Sequence, residues 1–313
     1  MRLDNRPMSR PWLLTLTGAC ALAAAGWWWA TSGHRTPAVN QAVAVSSSGI
    51  AAPVAAGSAE RSQPAASAAR SSIRREFESA PDLFVYAQRV STLARAGDAD
   101  AQWMLSRVYD YCAAYASNPA AYASDTRAIA ALDVATAPVM AAARERVSQR
   151  CVRFTPNDGL TSDVVQETRT RAALAGSLAA EASLLAEGVP MSEAAGYRRG
   201  LVDRVVASGD PQAYLAISRA MGLAASGSEM ELGEVSGTWL SELAWQLAAC
   251  RLGLDCRAQG ALMTSYCANG GICSRDPAQD FPAFVRDGGV PRQGAEHLNH
   301  MVDSVLSRRS LLK

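Results

Sequence analysis

From residue 73 onward, apolar residues recur at three- and four-residue steps. Leu83, Val90, Leu93 and Ala94 form one stripe, and Trp103, Met104, Val108 and Tyr111 form another. That spacing brings side chains to one face of an α-helix. No stretch alternates apolar and polar residues for long enough to predict a strand. Pro81, Pro119, Pro138 and Pro190 stand where a first helical turn tolerates proline. The pattern predicts helices near residues 82–96, 99–116, 119–134, 138–150, 161–187, 192–208, 211–224, 238–251, 257–268 and 293–310. The expected fold class is all-α, over a domain spanning residues 73–313.

The chain before that domain reads differently. Arg2, Arg6 and Arg10 precede an uncharged run, residues 11–30, that closes on Trp27, Trp28 and Trp29. Twenty residues at about 1.5 Å each can cross a hydrocarbon core roughly 30 Å thick. The basic flank orients residues 1–10 toward the cytoplasm, and the tryptophans suit the opposite interface. The expectation is therefore a transmembrane signal anchor in a bacterial inner membrane, with the remaining chain in the periplasm. Two rival readings keep the same export: a cleaved signal peptide, with Ala23 and Ala25 before Gly26, and a lipoprotein on Cys20. Residues 31–72 are rich in Ala, Ser, Val, Pro and Gly and lack Leu and aromatics, which predicts a disordered tether. Its root-mean-square reach would be roughly 35–40 Å.

Within the domain the chain repeats itself. Gly97-Asp98-Ala99-Asp100-Ala101 returns as Gly209-Asp210-Pro211-Gln212-Ala213, and Ser106-Arg107 returns as Ser218-Arg219 at the same offset of 112 residues. Val90 matches Val202, Leu93 matches Val205 and Leu105 matches Ile217. Each copy reads as a helix, a Gly-Asp turn and a second helix that begins at the Asp. Gly accepts the left-handed conformation at a helix C-terminus, Asp caps the next helix, and the small Ala lets the pair approach closely. The segment from Ala96 to Leu105 with Tyr109, and more weakly Gly209 to Ile217, resembles the core of Sel-like repeats, relatives of the tetratricopeptide repeat. The resemblance implies helical hairpins in an irregular solenoid-like array that acts as a scaffold for protein partners.

Cysteine usage adds staples. Beyond Cys20, the six residues Cys112, Cys151, Cys250, Cys256, Cys267 and Cys273 make an even set in a segment expected to be oxidising. The equal gaps from Cys250 to Cys256 and from Cys267 to Cys273 predict two local loops, which leaves Cys112 for Cys151. A four-cysteine zinc site would place its ligand pairs closer in sequence, and a C-x-x-C redox pair is absent.

Composition removes several chemistries. Ala-rich apolar content with 6% aromatics favours closely packed helices. A net charge of +1 leaves no electrostatic footprint for nucleic acid. Lys313 is the only lysine, so no lysine Schiff base, phosphate-loop lysine or Ser-Lys dyad can sit in the domain core. The motifs of serine hydrolases, zinc peptidases and dinucleotide-binding folds are missing. His297 and His300 beside Glu296 read as a solvated face of a C-terminal helix, and Trp239, Trp245, Tyr266, Phe281 and Phe284 read as core. No catalytic, cofactor-binding or metal residue is nominated. Three function classes follow: an interaction scaffold for another envelope protein, a folding helper for a secreted enzyme, and a cell-wall hydrolase using a carboxylate pair. The anchor–tether–helical layout resembles that of lipase foldases, but Arg74-Arg75-Glu76-Phe77-Glu78 is a poor substitute for their motif. The scaffold is the reading the repeats favour.

Overall fold

A computed structural model describes residues 72–290 and 293–311, all within one compact unit, Ala55–Lys313. The segments read as cytoplasmic end, anchor and tether lie outside the described residues, except residue 72, which opens a helix. Among the described residues there are helices and no strands, and no helix is long and apolar enough to cross a membrane.

Helix α1 (72–79) falls ahead of the first predicted helix. It is held by Ile73 and Phe77, both buried. The Phe77 ring meets Tyr86 and Tyr111 at 6.0 and 6.2 Å between centroids, and burying a phenyl side chain contributes about 2–3 kcal/mol. The next helix, α2 (Leu83–Arg95), starts where the Asp82 carboxylate accepts from the N–H groups of Phe84 and Val85. It stops at Gly97, whose φ of +91° lets the chain reverse. Asp98 then caps α3 (Ala99–Ser117) by accepting from Ala101 N–H at 2.7 Å. Asn118 ends α3 and caps α4 (Pro119–Ala130), which pairs with α5 (Ala137–Cys151).

The long helix predicted over 161–187 is two, α6 (Ser162–Leu174) and α7 (Leu178–Ala186). Gly176 adopts φ +100°, and the Ser177 hydroxyl accepts from Ala180 N–H. Ala is a strong helix former, but Gly-Ser offers the backbone a turn and a cap that tertiary packing then selects. The helix predicted from residue 192 begins only at Tyr197, so Pro190 opens no helix. That helix, α8 (Tyr197–Ser208), turns at Gly209 into α9 (Pro211–Met221), with Asp210 as its cap. A single turn, α10 (Glu229–Leu232), leads to α11 (Trp239–Arg251), then α12 (Ala261–Ala268), the short α13 (Phe281–Phe284) and α14 (Gly294–Leu311).

The helices pack side by side in the order α2, α3, α6, α7, α9, α11 and α14, while α4 and α5 leave the row. The row then returns on itself. The Tyr266 hydroxyl of α12 donates to Gln246 of α11 at 2.9 Å, and α12 packs on α5, which touches α2 and α3. Two polar contacts fasten this closure: Ala261 N–H to Glu78 and the Arg146 guanidinium to the Thr264 hydroxyl. A continuous core follows the ring, from Leu83 and Val90 through Val205 and Ile217 to Trp245 and Val305. Two expected core residues lie outside it: Leu93 is 39% exposed and Trp239 is 44% exposed. Each sits near a helix end, where one side of the helix runs out of neighbours.

The cysteine pairs stand at bonding distance along this path. Cys112–Cys151 links α3 to the end of α5, with Cα atoms 5.6 Å apart. Cys250–Cys256 and Cys267–Cys273 close the turns after α11 and α12, with Cα atoms 5.7 and 4.4 Å apart.

Candidate functional site

The Gly-Asp turns, 112 residues apart in sequence, meet at one end of the molecule through Arg74 of α1. Its guanidinium donates to Asp210 Oδ1 at 2.7 Å, to Asp210 Oδ2 at 2.9 Å and to Asp100 Oδ1 at 2.6 Å. Desolvation works against the Arg74 cation, but hydrogen bonds and charge from Asp210 and Asp100 outweigh it and hold its pKa above the ordinary value. Ala101 and Ala213, each four residues past its Gly, are fully buried between neighbouring helices. Ser106 and Ser218 repeat as well, each donating to the carbonyl three residues earlier. The turn at Gly176 belongs to the same set. Ser177 replaces Asp as the cap, Ala180 is fully buried, and Gly176 precedes Gly209 by 33 residues. Sequence comparison keyed on Gly-Asp passes over this copy, although its Gly-cap-x-x-Ala spacing was the available signal.

Inside the ring, five helices leave a cleft of about 300 Å³. Helix α3 contributes Trp103, Arg107, Asp110 and Tyr111, spaced so that three of them share one face. Opposite them stand Arg169 of α6, Ser183 of α7, Leu215 and Ala216 of α9, and Ser265 and Asn269 at α12. Arg169 is committed to ion pairs with Glu187 and with Asp110, the latter at 2.7 Å. Ser183 donates to the same Glu187 at 2.8 Å.

Arg107 is different. No carboxylate oxygen lies within ion-pair distance of it among the described residues; its Nη1 donates to Gln212 Oε1 at 2.8 Å. Its guanidinium carbon stands 5.7 Å from the Phe77 ring centre and 5.8 Å from that of Trp103. Desolvation pulls its pKa below the ordinary guanidinium value, more than the charges of Glu78 and Asp110 restore. Glu78, in turn, is pushed above the usual carboxylate range by burial, against the pull of Arg107 and of Ala261 N–H. The Trp103 indole N–H and the Arg169 Nε–H are buried without a partner.

The six paired cysteines do not border this cleft, and neither do the residues of the Gly-Asp turns. Among the described residues no cluster of His, Cys, Asp or Glu is placed to hold a metal ion, and Glu296, His297 and His300 lie exposed on α14. Of the carboxylates with displaced pKa values, Glu78 and Glu242 are raised, chiefly by burial, and Asp255 and Glu229 are lowered, chiefly by hydrogen bonds, from Arg257 and from backbone N–H groups respectively; none of them borders the cleft. Arg107 lies in the repeated Ser-Arg pair, whose second member, Arg219, is exposed. The repeat therefore marked the residue, while only the closure of α12 toward α3 made it part of a site. Comparison with protein-family models, curated proteins and solved structures gives no match.

Proposed function

We propose that this protein is a membrane-anchored, periplasmic helical-repeat scaffold that binds another envelope protein. Residues 11–30 would hold it in the inner membrane, residues 31–72 would give it reach, and the disulfide-stapled helical domain would make the protein contacts. The observation that carries this reading is the set of Gly-cap-x-x-Ala turns at Gly97, Gly176 and Gly209, each joining two packed helices. The 33-residue step between the last two is close to the 34 of tetratricopeptide repeats, which supports the Sel-like resemblance. Helical-repeat arrays present surfaces built from successive hairpins rather than a preformed reaction centre. The cysteine pairs support an oxidising compartment, because disulfides persist there and are rare where thioredoxin and glutathione keep thiols reduced.

The test is in-cell crosslinking of the full-length chain in its native envelope, with thiol status read by mass spectrometry on the same sample. A reproducible envelope partner with all six domain cysteines oxidised is the expected result. Free thiols would overturn the periplasmic placement, and oxidised protein without a partner would overturn the scaffold.

A further inference from the structure

The three disulfides differ in what surrounds them. Cys112 and Cys151 are fully buried, so a reagent meets that pair only when the domain opens. Cys250 is half-buried and Cys256 is 9% exposed, and both border a cleft of about 420 Å³ between the end of α11 and α13. Leu247, Ala258, Pro282 and Asn299 share its lining. Of the third pair, Cys267 but not Cys273 borders a smaller cleft of about 250 Å³ against α5. Thiol–disulfide exchange requires a thiolate to reach a sulfur, and the exposed members of a set of disulfides are the labile ones. The larger cleft has the volume of roughly fourteen waters at about 30 Å³ each, which is room for a small dithiol.

The accessible pair also sits where the ring depends on it. Cys250 lies in the last turn of α11, and Cys256 ends the turn that follows. The Cys256 carbonyl accepts from Phe281 N–H at 2.9 Å, and the fully buried Phe281 ring packs 5.2 Å from that of Tyr266 on α12. Five residues past Cys256, Ala261 N–H reaches Glu78 and closes the ring. The connection from α11 to α12 is therefore tied down at Cys256.

We propose that Cys250–Cys256 is a thiol-exchange site: a dithiol entering this cleft reduces it, and reduction frees the α11–α12 connection on which the ring closes. One thiolate of the dithiol attacks the sulfur of Cys250, the less buried partner; the S–S bond breaks, a mixed disulfide forms, and Cys256 leaves as a thiolate that takes up a proton. The second thiol of the reagent then attacks its own sulfur in the mixed disulfide and releases Cys250. Two electrons pass to the protein, and the dithiol ends as a cyclic disulfide. In an oxidising compartment the resting form is the disulfide. The proposal goes beyond the scaffold reading and does not rest on it.

The experiment exposes the full-length oxidised chain to dithiothreitol at neutral pH without denaturant, traps free thiols with iodoacetamide at intervals and locates them by mass spectrometry. Cys250 and Cys256 should appear at least about tenfold faster than Cys267 and Cys273, with Cys112 and Cys151 appearing only in urea. Ala258→Trp, which fills the cleft and leaves both cysteines in place, should slow the first reduction and not the others. After reduction of Cys250–Cys256 the helical circular dichroism should persist, while the amides of Ala261 and Phe281 lose protection from hydrogen exchange. The double variant Cys250→Ser, Cys256→Ser should show the same loss with no reductant present; should it not fold, the reduced wild-type chain supplies that measurement. Resistance of this pair until urea is added, earlier reduction of either other pair, an unslowed Ala258→Trp, or unchanged protection at both amides would each overturn the proposal. Failure to crosslink a partner in cells would count against the scaffold reading and leave this result untouched.

Discussion

Arg74 holds two carboxylates that belong to different hairpins, beside the hydrogen bond from Arg107 to Gln212 that joins the same pair. All three side chains are mostly withdrawn from water, so removing the cation leaves two acids close together in a medium of reduced polarity. Arg74→Met should destabilise the domain by about 2 kcal/mol, less than for a fully buried pair because water still reaches the site. For a domain this size, that corresponds to a melting temperature lower by about 4–8 °C, measurable by circular dichroism; an unchanged melt would show the clamp to be energetically idle. The glycines of the turns allow a second test. A Cβ at Gly97 would meet nothing, whereas one at Gly209 would run into the Arg309 guanidinium. Gly97→Ala should cost only the left-handed backbone strain, about 1–2 kcal/mol. Gly209→Ala should cost the same strain plus a small excess for moving the flexible end of the Arg309 side chain, and that excess should disappear in an Arg309→Ala background; urea titration of the four variants reads the cycle.

Among the elements, α5 is the one that leaves the row and yet completes it, and Cys112–Cys151 ties its end to α3. The loop this pair closes spans 39 residues, against 6 for each of the others. Chain-entropy scaling gives about 4 kcal/mol for the long loop and about 2 kcal/mol for each short one. Replacing Cys112 and Cys151 together by Ser should therefore lower the urea midpoint about twice as much as replacing Cys250 and Cys256. Equal losses would mean that native-state contacts, rather than loop closure, set the contribution of these bonds.

At the scale of the whole molecule, the ring is closed where α1 meets the first turn of α12, through Glu78 and Ala261 N–H. Glu78 is held above the usual carboxylate range, chiefly by burial. The folded protein then binds its proton at pH values where the unfolded chain has released it. The sign follows: the contribution of Glu78 is fully present below its unfolded value and is lost as pH rises through its folded value. Stability should thus fall as pH climbs out of the acidic range, by about 1.4 kcal/mol for each unit separating the two pKa values. Glu78→Gln should flatten that fall while keeping an acceptor for Ala261 N–H; parallel pH profiles of melting temperature for the two proteins would sink the assignment. The closure also separates Arg107 from Arg219. Both occupy the same place in the repeat, but α12 approaches only the first, so one cation borders a cleft and the other meets water.

The local rules written in the chain determined the helices, the Gly-Asp turns and their caps, and the pairing of cysteines six residues apart, because those features depend on neighbours within one or two helical turns. The same rules passed over α1, whose two buried anchors, Ile73 and Phe77, span a single helical turn, and ran α6 and α7 together. There the helix preference of Ala competes closely with the turn preference of Gly-Ser, and only packing against α3 and α9 chooses between them. Which helices become neighbours, and therefore which arginine is paired, clamped or left facing a cleft, was decided by the tertiary structure alone. An ion pair or an orphaned donor is a property of side chains that meet across a hundred residues of sequence, and no periodicity within one helix encodes it.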